Sequence, residues 1–284
     1  MQSLFVDNLT VIDFAYFHSQ RGIVGESLIL DVELFGELNE EGMLFDFSYV
    51  KKRIKSSVDA LIDHKFLVAR QQAQLVIEES PQQLILELTT DNGQKYRHVS
   101  PHEAVFLIES DSVSKNSIAD VVKKEILKIL PVNVSKVNIE LRSEYITGQF
   151  YHYSHGLKKH FGDCQRIAHG HRSKIKVWEN GVFSEQWSAH IAKIWQDIYL
   201  ATEEDIKQRK QIDDQQYLVF EYHANQGLFQ LTLPESRCFL MATDTTVELI
   251  ANFLGNYLQS KNPQSKFKVK AFEGVDKGAC FESS

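Results

Sequence analysis

The C-terminal half of the chain carries the run Tyr151-His-Tyr-Ser-His155-Gly-Leu157, then Cys164, then His169-Gly170-His171. Histidines one residue apart on a strand leave the same face, and an antiparallel neighbour carrying His155 would add a third imidazole. Three nitrogen donors with an open fourth position form a catalytic zinc site, whereas structural zinc is closed by four protein ligands, often cysteines. Gly170 between the pair points away and leaves room for a neighbouring backbone. Cys164 lies in Phe161-Gly-Asp-Cys-Gln-Arg166. A thiol beside a cation ionises readily and can then serve as base or nucleophile.

The matching place in the N-terminal half reads Phe14-Ala-Tyr-Phe-His18, then Val24-Gly25-Glu26. Two of the three histidines and the cysteine are missing there. That half carries Asp63-His64-Lys65 instead, which the C-terminal half lacks. Two incomplete sets that complete each other predict one composite site. A histidine oriented by an aspartate can pass a proton near neutral pH. The plainer reading is a helix-end pair, since the helix dipole favours histidine at a C-terminus.

The elements that would position these residues also occur twice. Alternating segments at 9–17 and 146–153 precede strand-like runs at 28–34 and 174–178. Apolar residues spaced by three and four predict a helix through Phe47, Val50, Ile54, Val58 and Leu61, and another through Phe183, Trp187, Ile191, Ile194 and Ile198. Each half then has a hairpin, turning at Asp91-Asn92-Gly93 and at Asn225-Gln-Gly227. A second helix follows (Ile118, Val122, Ile126, Ile129; Val247, Ile250, Leu254, Tyr257), and a strand closes each half at 137–141 and 267–271. A period near 140 residues fits a duplicated domain, with units over 1–144 and 145–284, and not a solenoid.

The bulk properties narrow the partners. The 284 residues carry a formal net charge of −7, which argues against nucleic-acid binding. No apolar run reaches membrane-spanning length and the N-terminus has no signal-peptide pattern. Three cysteines, Cys164, Cys238 and Cys280, make no disulfide framework. A soluble cytoplasmic protein is expected, with Cys238 and Cys280 as buried strand residues.

The histidine trio and Cys164 resemble the 6-pyruvoyl-tetrahydropterin synthase / 6-carboxy-tetrahydropterin synthase family. The resemblance implies the α+β tunnelling fold, with antiparallel sheets, helices on one face and units assembled into an oligomeric barrel. It implies Zn2+ on His155, His169 and His171, with Cys164 as the catalytic thiol. The family's Asp-His-Lys-x-Leu motif is matched by Asp63-His64-Lys65-Phe66-Leu67, its Thr-x-Glu motif by Thr246-Val247-Glu248, and its pterin-holding glutamate by Glu273. The second copy departs from the pattern where Asp-His should stand, reading Ile198-Tyr-Leu-Ala-Thr202.

The family pocket lies between neighbouring units, so residues of two units meet there. The expected activity is a zinc-dependent lyase converting 7,8-dihydroneopterin triphosphate to a 6-carboxy- or 6-pyruvoyl-tetrahydropterin, in a homo-oligomer. Lys158, Lys159 and Arg172 surround the motif and would either hold a triphosphate or stand as solvated surface charge. The competing reading is a non-catalytic tunnelling-fold protein that binds a pterin or purine, or serves as a structural partner.

Overall fold

The computed structural model describes residues 2–283. The first half runs β1 (Gln2–His18), β2 (Gly22–Gly36), α1 (Phe47–Ile62), β3 (Phe66–Ala69), β4 (Leu75–Glu79), β5 (Leu84–Thr89), β6 (Lys95–Ser100), β7 (Val105–Ile108), α2 (Lys115–Ile129) and β8 (Val134–Ser143). The second continues with β9 (Phe150–His155), β10 (His169–Glu179), β11 (Val182–Phe183), α3 (Glu185–Ile194), β12 (Ile198–Thr202), β13 (Ile206–Ile212), β14 (Gln215–Ala224) and β15 (Gly227–Pro234). It ends with β16 (Cys238–Met241), α4 (Val247–Lys261), β17 (Phe267–Phe272) and β18 (Gly278–Glu282).

The architecture is α+β, built as two sheet-rich units. Long antiparallel hairpins form the middle of each sheet, β1–β2 in the first unit and β9–β10 in the second. Short strands then join in parallel: β3 on β1 and β7 on β3, and correspondingly β12 on β9 and β16 on β12. The expected antiparallel sheets are therefore mixed at one side.

Val50, Ile54, Val58 and Ile62 of α1 join Ile118, Val122 and Ile126 of α2 in a core against β1 and β2. Leu61 is only partly buried and Phe47 is 43% exposed, so Ile62 closes the buried stripe. In the second unit the expected helix is cut short at both ends. Phe183 belongs to β11 and Ile198 opens β12, although both fall on the helical spacing. Strand β18 pairs with β17 beyond the expected closing strand. Cys280 on it is exposed, not buried, and Cys238 is half-buried.

A third sheet belongs to both halves. The two inserted hairpins join edge to edge, β6 against β15, giving the order β13-β14-β15-β6-β5-β4. Its apolar face packs on Phe17 and Phe66 of the first unit and on Ile167 and Tyr199 of the second, so the two units share a core. The hairpins β1–β2 and β9–β10 also meet directly. A Cβ on Gly25 would lie 1.8 Å from the Tyr153 carbonyl oxygen, and one on Gly170 would lie 2.7 Å from the Cα of Gly25. Only glycine allows that approach. The backbone expected beside Gly170 is the first unit's own β2.

His98 of β6 is buried among this shared core, and burial lowers its pKa from 6.5 to about 3. The folded state therefore holds a neutral ring that the unfolded chain protonates below pH 6.5. Stability is fully present above that pH and is lost as pH falls toward 3, by up to about 1.4 kcal/mol per pH unit for this group. Denaturant titrations from pH 7.5 to 4.5 should show the loss, and His98→Leu should make it shallower. An unchanged slope would contradict burial of a neutral ring.

Candidate functional site

His155 ends β9 and His169 begins β10, and the register pairs them directly, with His171 opposite Tyr153. The three rings converge: centroids lie 4.4 Å apart for His155 and His169, 5.4 Å for His155 and His171, and 5.8 Å for His169 and His171. One nitrogen from each lies within 4.8 Å of the others, and all three residues are buried.

His155 and His169 are hydrogen-bonded through Nδ1, whereas His171 Nδ1 faces a carboxylate without a hydrogen bond. His155 Nδ1 lies 3.1 Å from both the carbonyl and the hydroxyl of Thr245, and His169 Nδ1 lies 2.9 Å from the Arg166 carbonyl. His171 Nδ1 lies 3.2 Å from Asp13 Oδ1, off the line of an ideal hydrogen bond. The Nε2 atoms of all three are buried and unpaired. Buried imidazole nitrogens without partners cost stability unless something binds them. Three facing one another, with two of the rings anchored through Nδ1 and the third backed by the Asp13 carboxylate, fit a zinc-type ion. The His155 and His169 pKa values lie well below 6.5, first through burial and then through the neighbouring imidazoles, which keeps both rings neutral as ligands must be.

Asp63 and His64 come from the first unit and sit against this set. Asp63 caps the C-terminus of α1, and His64 adopts the left-handed conformation, φ 53°, just before β3. Its ring lies 5.2 Å from His169 and 6.3 Å from His171. Asp63 Oδ2 holds His64 Nδ1 at 2.7 Å, while Oδ1 accepts the Asp13 backbone N–H at 2.8 Å. His64, Cys164 and His169 form a second group whose ligand atoms lie within 4.8 Å. Burial by itself would lower the His64 pKa, but the Asp63 carboxylate and Cys164 outweigh it and push it up to about 10. These partners favour the protonated form of His64 over the neutral one.

Cys164 sits in a short 3-10 turn, Asp163–Gln165. The inserted hairpin braces that turn: Gln226 donates to Asp163 Oδ1 at 2.8 Å, and Tyr222 donates to the Gln165 carbonyl at 2.8 Å. Arg166 pairs with Asp163 at 2.7 Å and reaches the Asp63 carbonyl at 3.3 Å, joining the two units beside the thiol.

The remaining candidates divide. Glu273 follows β17 and places Oε1 4.0 Å from His171 Nε2. Thr246 is the N-cap of α4, its hydroxyl accepting from Leu249 N–H, and its neighbour Thr245 is the residue that touches His155. Glu248 is exposed on the first turn of α4 and, among the described residues, makes no hydrogen bond or ion pair to the histidines. Lys158 pairs with Glu204 and Asp205, Lys159 with Asp244, and Arg172 stacks on Phe150. In the second unit, Asp197 has the left-handed φ of 55° seen at His64. It holds Arg21 of the first unit in a two-pronged ion pair, closest contact 2.5 Å, beside His152 and Tyr16.

Asp13, Ser27, Lys277 and Thr245 were not among the candidates. The signal for Asp13 is an acid set in the apolar run Val11-Ile-Asp-Phe-Ala15, where burial demands a partner.

Residues 14–147 match the family model described as 6-pyruvoyl tetrahydropterin synthase. That segment, the first half of the chain, is similar to the family. The matched segment holds Asp63 and His64, and the histidine trio lies outside it. Candidate 6-carboxy-5,6,7,8-tetrahydropterin synthases of Pyrococcus horikoshii and Pyrococcus abyssi are each 25% identical, over 135 and 140 residues, covering 48% of this chain and 77% of theirs. Among solved structures, the 6-pyruvoyl tetrahydropterin synthase of Plasmodium falciparum covers 49% of this chain and 90% of its own (15% identity, TM-score 0.41). That of Plasmodium vivax covers 50% and 97% (20% identity, TM-score 0.37). The relationship is to enzymes of the tetrahydropterin synthase type.

A metal on the three Nε2 atoms sets a simple expectation. Chelator-stripped protein should take up one equivalent of Zn2+, and His171→Ala should lose it. Cys164→Ala should keep it. Equal uptake by His171→Ala, measured by metal analysis after gel filtration, would exclude the trio as the binding site.

Proposed function

We propose that this protein is a zinc-dependent tetrahydropterin synthase whose active site is shared between two units of one chain. A unit over 1–144 contributes Asp63 and His64, and a unit over 145–284 contributes His155, His169, His171, Cys164 and Glu273. The observation that carries the reading is the contact of His64 with His169 and with Cys164, which joins residues far apart in sequence into one constellation. Helix termination alone gives no reason for His64 to face two buried imidazoles.

The substrate we propose is 7,8-dihydroneopterin triphosphate. Glu273 would accept the two parallel N–H groups on the edge of the pterin ring, which fixes the orientation of the ring. His155, His169 and His171 would hold Zn2+, which supplies Lewis acidity toward hydroxyl oxygens of the substrate side chain. Cys164 as thiolate would take a proton from side-chain carbon and return it. His64, charged at neutral pH and oriented by Asp63, would deliver a second proton and recover it. Thr246 and Glu248 at the N-terminus of α4 would belong to the rim of the pocket. Triphosphate would leave in either case, giving a 6-pyruvoyl-tetrahydropterin, or a 6-carboxy-tetrahydropterin where the two outer side-chain carbons are also lost. Assembly of several chains into a barrel would complete the enzyme, located in the cytoplasm.

Zinc-loaded protein given 7,8-dihydroneopterin triphosphate should yield one of these two products by mass spectrometry. His64→Ala should lower turnover by 10²- to 10⁴-fold, the usual contribution of a placed acid–base group. Intact substrate from protein with confirmed zinc would reject the assignment, and full activity of His64→Ala would reject the shared site.

A further inference from the structure

Asp13 lies near the middle of β1, in the first unit, with 3% of its surface exposed. Its main chain and side chain serve different halves of the site. The N–H donates to Asp63 Oδ1 at 2.8 Å, and the carbonyl accepts from His64 N–H at 2.7 Å. On the side chain, Oδ1 lies 3.2 Å from His171 Nδ1 and accepts from Ser27 Oγ at 2.5 Å, and Oδ2 lies 3.3 Å from Lys277 Nζ. A Cβ on Gly274 would come within 2.5 Å of Oδ1, so the backbone of the second unit closes over the carboxylate.

A buried carboxylate is costly unless it is paired, and these partners come from both units. His155 and His169 rest on carbonyl or hydroxyl oxygens, so within the trio His171 is the ring backed by a full charge. A carboxylate behind a ligand imidazole holds its tautomer and orientation and raises its basicity.

We propose that Asp13 is a positioning residue that acts across the two units. Its carboxylate holds His171 with Nδ1 protonated and Nε2 turned toward the metal, while its main chain fixes the Asp63–His64 pair against the same set. One residue thus ties the proton-handling pair to the metal ligands, and a unit without ligands of its own still controls the metal. The proposal rests on the zinc reading given above.

The test compares wild-type protein with Asp13→Asn, which keeps the shape and removes the charge, and with Asp13→Ala. Zinc affinity is measured by competition with a chromophoric chelator. Proton NMR of the zinc-loaded chain follows the downfield, exchange-protected ring N–H resonance that His171→Ala abolishes. Asp13→Asn should weaken zinc binding by about 10- to 100-fold, the range for such outer partners, and should shift that resonance upfield. A merely structural aspartate would leave the resonance in place. If Asp13→Ala does not fold, Asp13→Asn and Ser27→Ala carry the test, because each preserves most of the packing. Zinc held with wild-type affinity by Asp13→Asn, with the resonance unmoved, overturns the role of Asp13 alone. Failure of the wild-type chain to bind zinc overturns both this proposal and the zinc reading.

Discussion

Everything at the site depends on how closely two hairpins cross. Gly25 of β2 and Gly170 of β10 meet with almost no space between their backbones, and a methyl group on either would strike main-chain atoms. That approach puts β1, one strand over from β2, close enough for Asp13 to reach His171. It also places the turn after α1, carrying Asp63 and His64, above the buried imidazoles. A crossing wider by one side chain would leave two half-sites with no shared chemistry. The sheet made by β6 and β15 holds the crossing from the other side, through a core drawn from both units.

Electrostatics then explains why the halves differ. In the second unit, burial drives the His155 and His169 imidazoles toward neutrality, and among the described residues the Nε2 atoms of the trio have no hydrogen-bond partner. In the first, Asp63 and Cys164 draw His64 the opposite way, toward the cation. Neutral rings suit metal binding and a charged ring suits proton delivery, so in the proposed enzyme two environments a few ångströms apart would separate the two tasks. At the related place across the pseudo-symmetric arrangement, Arg21 and Asp197 satisfy each other. An ion pair there leaves no set of free nitrogens to attract a metal.

The parts of this design that are local were readable from residue order. Alternation in His169-Gly170-His171 showed that two imidazoles share a face, and the Asp63-His64 pair stood out because the other half lacks it. Helices α1, α2 and α4 followed from their apolar spacing. Helix α3 was overextended because Phe183 and Ile198 continue its period by coincidence while belonging to strands. The long-range features left no local mark: the pairing of β6 with β15, the addition of β18, and the convergence of Asp13 with His171, 158 positions away in sequence. Thr246 matched a motif, yet its hydroxyl caps a helix, and the neighbouring Thr245 meets His155 of the histidine trio. Motif spacing locates a segment, and backbone geometry decides which side chain in it reaches the site.

The most direct test of a site closed within each chain is complementation between two inactive variants. His64→Ala and Cys164→Ala chains, co-expressed and purified as mixed assemblies, each retain one half of the constellation. If the halves meet inside one chain, as the contact between His64 and His169 requires, the mixture stays as inactive as either variant alone. Recovery of a substantial fraction of wild-type turnover would mean that the halves meet between chains and would contradict the arrangement described above.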